Sequence, residues 1–519
     1  MKKRLLKLLK VIVGILLLFV AVLIIALYWP LPDLKAPKRY EVLIIKSINV
    51  INVQSGEILA NQDIVIQNNR IKSIDSSGPF DIKADLIIDG NDKFVIPGLW
   101  DMHTHSNQHS PWLHHPLYIA NGVTGVRDMS GQLNEKDSYW VGSNERLKWN
   151  KELFEGKRIS PRYILQSSYQ MDGASSVPEG FPEYFKLETS SAIDSLLSFY
   201  KNENVDFIKI YQQILPESYR ELAIKAPVYG LHLAGHKPMF LNLEDAINLG
   251  QRSFEHGRIF MFESFPKADS LRMPQHWKSI FKTSKNSMVE DFNAQTAVGL
   301  MQLMKEKNAY WTPTLQTLKF EAFAHKDSFL ENPNLKYITW ARKRLWWNFD
   351  IENNQKRNRS PESKGVSTAF YLAARKQVVT ANEIGVPIMA GTDVTDSYIF
   401  AGFSIHSELE DLTKSGLSNL EALQSATIVP AKYAGLEMHY GTVEEGKKAD
   451  LIILDKNPLK EITNSKTISA IIIDGILYDS DKIRELKTFT ESITSNFHMN
   501  VKVIHSFVMS PLIRVQFAD

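Results

Sequence analysis

The 519-residue chain contains no cysteine. Disulfides, thiolate metal sites and cysteine nucleophiles are therefore excluded, and any metal must be held by His, Asp, Glu or a modified side chain. Net charge is almost absent too. Lys and Arg number 60 against 58 Asp and Glu, a balance of +2, which gives no electrostatic case for a nucleic-acid partner. There is no tandem repeat and no low-complexity tract. With 44% hydrophobic and 23% charged residues, a disordered or collagen-like chain is excluded as well. The length suits roughly two to four units, or one large barrel with additions.

The little charge asymmetry there is sits at the N-terminus. Lys2, Lys3, Arg4, Lys7 and Lys10 precede an uncharged apolar run from Val11 to Trp29. At about 1.5 Å per residue that run spans roughly 28 Å, the depth of a bilayer core. Tyr28 and Trp29 close it as interfacial aromatics do, and the basic flank puts the N-terminus in the cytoplasm and the body outside, periplasmic or at the cell surface. A cleaved signal peptide, giving a secreted chain, is the alternative, and a buried core helix a third. The exit Ala26-Leu27-Tyr28-Trp29-Pro30 places bulky residues where cleavage needs small ones. The expectation is an uncleaved anchor over residues 1–30 and a stiff proline-bearing linker over 31–39.

From Tyr40 the texture changes to short β-branched runs separated by Ser-Gly and Asn-Asn turns, which predict strands and hairpins. The same texture returns near the C-terminus in GTVEEGKKADLIILDKN and ISAIIIDGILYD. Between them, short apolar runs alternate with helical patterns: FIKIY, a helix at 217–226, VYGLHL, a helix at 243–250, then RSFEHG. Such alternation predicts an α/β fold built as a (β/α)8 TIM-like barrel. Residues 320–366, rich in charge and aromatics, read as an insertion over one barrel end or as a plain helical pair.

Chemistry concentrates at the ends of the apolar runs. In Phe94–His105 a strand leads into His103-Thr104-His105, and alternate residues project together, so the two imidazoles can share one divalent ion. His114-His115 reads as a chance pair. Lys209 sits inside an apolar strand, where a cation is costly without a partner. It is either paired with an acid or carboxylated into an anionic bridge between metals. Strand ends follow at His232–His236 and at Ser253–Gly257, and Val386–Thr392 ends in Asp393. Singly, each has an ordinary structural reading. Together they fall on successive strand ends, where barrel active sites form.

These motifs, with Pro97–Asp101, Ala120–Asp128, Ala426-Thr427, Pro430-Ala431, Gly441–Leu451 and Asn457–Leu459, resemble the amidohydrolase superfamily in its imidazolonepropionase-like and prolidase-like branch. The resemblance runs from about Tyr40 to Asp479. It implies that His103 and His105 bind a buried metal and His236 and His256 a more exposed one. Carboxylated Lys209 would bridge the ions, and Asp393 would both ligate metal and accept the proton of the attacking water. His236 is preferred to its neighbour His232 because Gly235-His236-Lys237-Pro238 matches the branch. The resemblance also implies a small β-sandwich from both chain ends. The expected domains are 40–97 and 438–482 for the sandwich, 98–437 for the barrel and 483–519 for a tail outside the resemblance.

The implied activity is hydrolysis of an amide C–N bond in a small peptide-like or cyclic amide substrate. Two divalent ions are expected, zinc by the preference of imidazole and carboxylate donors. A lactonase or phosphotriesterase on the same site, a mononuclear deaminase and a catalytically retired membrane-tethered binding protein remain alternatives. Arg127, Tyr169 and Tyr211 are candidate substrate contacts, and His406 begins a helix with no role assigned. The expected partners are a small-molecule substrate and the membrane, with homo-oligomerisation left open.

Overall fold

A computed structural model describes residues 2–76, 82–273 and 284–518. A single helix, Lys2–Tyr28, carries the apolar run and is long and apolar enough to cross a membrane. Nearly all of it is exposed; Ala26, near its end, is buried.

Strands β1 (Val42–Ile51), β2 (Ile58–Gln67), β3 (Arg70–Asp75), β4 (Leu86–Asp89) and β5 (Phe94–Pro97) follow, as the alternating texture predicts. The β2–β3 hairpin turns on Asn68 and Asn69, both with positive φ, the conformation that Asn tolerates and a tight hairpin needs. Chain-terminal strands β13 (Leu451–Leu454), β14 (Ile468–Ile473) and β15 (Ile476–Asp479) join them through antiparallel β13–β5 pairing. Where two stacked sheets were expected, hydrogen bonds form one eight-stranded sheet in the order β15-β14-β13-β5-β1-β2-β3, with β4 also on β1. The reason lies in β1. A bulge between Ile45 and Ile48, with Ser47 at φ 57°, divides it. Leu43–Lys46 pair with β4, whereas Asn49 and Val50 pair with β5.

The intervening chain alternates strand and helix. Strands β6 (Leu99–Thr104), β7 (Val123–Asp128) and β8 (Arg162–Tyr163) form one parallel sheet. Strands β9 (Phe207–Ile210), β10 (His232–Gly235), β11 (Ser253–Glu255) and β12 (Tyr310–Thr312) form another. Apart from Arg162 and His232 the residues of both are buried, as in parallel strands covered on both faces. Parallel bridges Ser167–Phe207 and Met171–Ile210 tie the segment that follows β8 to β9. Residues 386–394, of which 386–393 were expected as a strand, make isolated contacts instead. They bridge Ile388 to Trp311 and Val394 to Thr104, and the Asp393 amide donates to the His103 carbonyl at 2.8 Å. Gly391 permits this approach, because a Cβ there would lie 2.9 Å from the His103 nitrogen.

The segment after β12 forms helices Leu315–Phe323, Asn348–Arg357 and Pro361–Ile384. Residues beyond β15, which the sequence left unread, form three more: Ser480–Ser495, Phe497–Met509 and Pro511–Ala518. Leu512 and Ile513 are buried in the main apolar core, and the Ser510 hydroxyl donates to Asp137 at 2.9 Å, so the last helix is fixed against the body.

Candidate metal centre and active site

Six side chains converge at the C-terminal ends of the parallel strands. His103 comes from β6 and His105 directly follows it, Lys209 lies in β9, and His236 and His256 directly follow β10 and β11. Asp393 comes from the 386–394 segment. All six line one cavity of about 500 Å³. Asp393 Oδ1 lies 2.9 Å from His105 Nε2 and 3.3 Å from His103 Nε2, and Oδ2 lies 3.6 Å from His256 Nδ1. The Nε2 atoms of His236 and His256 are 2.8 Å apart. His232 points elsewhere, 3.5 Å from the Tyr433 hydroxyl, and is not among the lining residues. His256 and Asp393 have φ of 74° and 69°, a left-handed region that few residue types other than glycine, Asn, Asp and His enter readily.

The donor set suits a cation. Donor atoms of His103, His256 and Asp393 all lie within 4.8 Å of one another. His103 Nδ1 is 3.0 Å from Glu255 Oε2, and His103 Nε2 is buried without a hydrogen-bond partner. A carboxylate on Nδ1 fixes the proton there and leaves the Nε2 lone pair facing the cluster, the arrangement of a metal-ligating histidine.

Charge in the cluster is set by burial and mutual proximity. Burial, aided by Lys209, pushes His105 down to about 4. Burial and neighbouring cations also hold His236 and His256 well below the usual imidazole range. All three are thus neutral donors at neutral pH. Burial would raise the Asp393 carboxyl, but the imidazoles, His103 foremost, outweigh it and keep it well below the usual carboxylate range. Burial lowers the Lys209 ammonium to about 8 against the pull of Asp393 and Glu255. Its Nζ sits 5.7 Å from the Tyr211 ring centroid.

Of the three candidate substrate contacts, Tyr169 and Tyr211 line the cavity and Arg127 does not. Arg127 is wholly buried. Its Nε donates to the Met102 carbonyl at 2.7 Å, Nη1 to Ser253 Oγ at 2.8 Å and Nη2 to Glu255 Oε1 at 2.7 Å. With its donors spent inside the strands it cannot reach a substrate, so the expectation for Arg127 is corrected. Glu255, passed over in the sequence, joins Arg127 to His103; Arg127 chiefly offsets burial and holds Glu255 down to about 2. His406 is also structural, bonded to Ser465 Oγ and the Asn121 carbonyl. His115 is bonded to the Tyr163 hydroxyl, away from the cavity.

The rest of the wall comes from segments whose role the sequence did not disclose. Phe320, Glu321, Trp346, Asp350, Asn354 and Arg357 line it from the 320–366 region, which favours the insertion reading over a plain helical pair. Val515 and Gln516 line it from the last helix, with Gln516 Nε2 3.5 Å from the Tyr169 hydroxyl. Asp396, three residues beyond Asp393, also faces it.

The amidohydrolase family model matches residues 295–477, a span that contains Asp393. Over that span the chain resembles the amidohydrolase family. Among solved structures of this fold, bottromycin amidohydrolase aligns with TM-score 0.68 at 18% identity, covering 91% of this chain and 93% of that one. A Xaa-Pro dipeptidase with bound methionine aligns with TM-score 0.59 at 20% identity, covering 85% and 100%. At these identities the likeness is one of fold. A curated superfamily relative, the 5-methylthioadenosine/S-adenosylhomocysteine deaminase of Caldanaerobacter subterraneus, is 35% identical over 63 residues. That match spans 12% of this chain and only 14% of the relative's length.

Proposed function

We propose that this chain is a metal-dependent amidohydrolase that cleaves an amide C–N bond in a small peptide-like or cyclic amide substrate. The observation that carries the reading is the cluster of His103, His256 and Asp393 donors within 4.8 Å of one another, in a cavity that His105, Lys209 and His236 also line. In this reading the two parallel sheets and the 386–394 segment close a (β/α)8 barrel over residues 98–437. Segments 40–97 and 438–482 form the flanking β domain, and residues 1–30 anchor the body outside the membrane.

His103, His105 and Asp393 would hold one divalent ion and His236 and His256 a second, with carboxylated Lys209 between them. Zinc suits these donors. Bound ions of this kind supply Lewis acidity and lower the pKa of water. The protein's own part is positional and protolytic. Glu255 and Arg127 orient His103. Asp393, held ionised by the imidazoles, can accept a proton and pass it to the leaving nitrogen. Tyr169 and Tyr211 line the space in which the scissile group would sit.

Metal analysis of the purified chain tests this, followed by turnover of dipeptides, N-acyl amino acids, lactones and phosphotriesters. Two ions per chain with amide turnover is the expected result. One ion at saturating metal, with release of ammonia from an adenine nucleoside, would favour the deaminase reading that the short curated matches support. Turnover confined to lactones or phosphotriesters would change the bond, and absence of metal would overturn the proposal.

A further inference from the structure

The helix Phe497–Met509 lies against the end of the apolar N-terminal helix. Its Lys502 ammonium donates to the Leu27 carbonyl, and the His498 ring stands edge-on to Trp29 at 5.7 Å. A cation at a helix C-terminus also complements the helix dipole. Residues 498 and 502, four apart, share the face that meets the apolar helix. Met499, Val503 and Ser506 are buried against the body instead. The outer side nonetheless carries large apolar groups: Phe497 is 47% exposed, Val508 55% and Met509 54%. A solvated face would not retain them at no cost. Interspersed with the polar His498, Lys502 and His505, they make the mixed polar and apolar surface of a helix that lies in the plane of a membrane.

We infer that Phe497–Met509 is an interfacial helix, seated in the headgroup layer of the bilayer that holds residues 1–30. This rests on the anchor reading above. What favours lipid over a second copy of the chain is continuity. Exposed Phe497 adjoins His498, which packs on Trp29 where the apolar run ends, and Tyr28 and Trp29 are themselves exposed. The seating would also fix the next helix, whose Val515 and Gln516 wall the cavity, relative to the bilayer.

The cysteine-free chain makes the test direct. In the full-length protein, Leu16→Cys, Val228→Cys, Val508→Cys and Met509→Cys each give a single attachment site for an environment-sensitive fluorophore. All four positions are exposed, so the fold is not at risk. Each labelled protein is reconstituted into phosphatidylcholine–phosphatidylglycerol vesicles carrying a lipid-borne quencher, placed near the headgroup or deep in the acyl chain. The expected result is strong quenching at 508 and 509 by the shallow quencher and at 16 by the deep one, with none at 228. Quenching at 16 with 508 and 509 behaving like 228 would overturn the interfacial helix and leave the anchor standing. No quenching at 16 would overturn both. Labels at 508 and 509 shielded from aqueous iodide but untouched by lipid quenchers would mean that protein covers this face, which also overturns the proposal.

Discussion

Replacing Glu255 by Gln should weaken metal binding without touching any metal ligand. The carboxylate divides its labour: Oε1 takes Arg127 Nη2 at 2.7 Å and Ser253 Oγ at 2.8 Å, and Oε2 takes His103 Nδ1 at 3.0 Å. Glutamine has one acceptor oxygen and one donor NH2. If its oxygen stays with Arg127, its NH2 faces His103 and favours the tautomer protonated on Nε2, which blocks the lone pair a metal needs. If its oxygen turns to His103, its NH2 confronts a buried guanidinium. Loss of such a supporting carboxylate costs about 10–100-fold in metal affinity, equivalent to about 1.4–2.7 kcal/mol. Stripping a buried charge of its partner costs about 3–5 kcal/mol of stability. Competition against a chromophoric zinc chelator reads the first quantity, and denaturant unfolding of the metal-free protein reads the second. The double variant Arg127→Met with Glu255→Gln should recover part of both. With the guanidinium gone, the glutamine oxygen is released to His103, so the two changes should be strongly non-additive. Parental zinc affinity in Glu255→Gln would refute the role of Glu255 in presenting His103.

Asp393→Asn should fold, because Asn tolerates the left-handed backbone at that position, yet turnover should fall by about 10²–10⁴-fold. Near-normal turnover at full metal content would remove Asp393 as the proton acceptor. Only the neutral amine of Lys209 reacts with CO₂, and burial lowers its ammonium to about 8. Bicarbonate-dependent capture of a second ion should therefore rise as pH increases through that value and vanish in Lys209→Ala; a pH-independent second ion would refute the bridge. N-terminal sequencing of the mature chain should find residues 1–30 still attached, whereas a start between residues 27 and 32 would identify a cleaved signal.

The cluster was legible where its signal is local. His103 and His105 share a strand and its alternation, and Lys209 is conspicuous as a cation within Phe207–Ile210. Asp393 ends a visible apolar run. Glu255 and Arg127 were equally visible as opposite charges in apolar strands, but their pairing joins β7 to β11, and neither strand names its partner. The β1 bulge was not legible because Lys46-Ser47 reads as an ordinary polar pair inside an otherwise apolar strand. The first of the three terminal helices shows amphipathic spacing in Ile483, Leu486 and Ile493, but spacing says nothing of where a helix docks. The part of the last helix in the cavity wall needed three dimensions.

The left-handed backbone at His256 and Asp393 bears on how this fold could lose its chemistry. At φ of 74° and 69°, β-branched and bulky residues are disfavoured, while Gly and Asn fit with ease. Drift at these two positions, once selection for activity is relaxed, is therefore channelled toward small or amide side chains that erase a metal donor yet leave the strands intact. A descendant carrying Gly or Asn there could keep its core as a scaffold without turnover. The same backbone that admits these two ligands thus gives the lineage a route to inactivity that does not pass through unfolding.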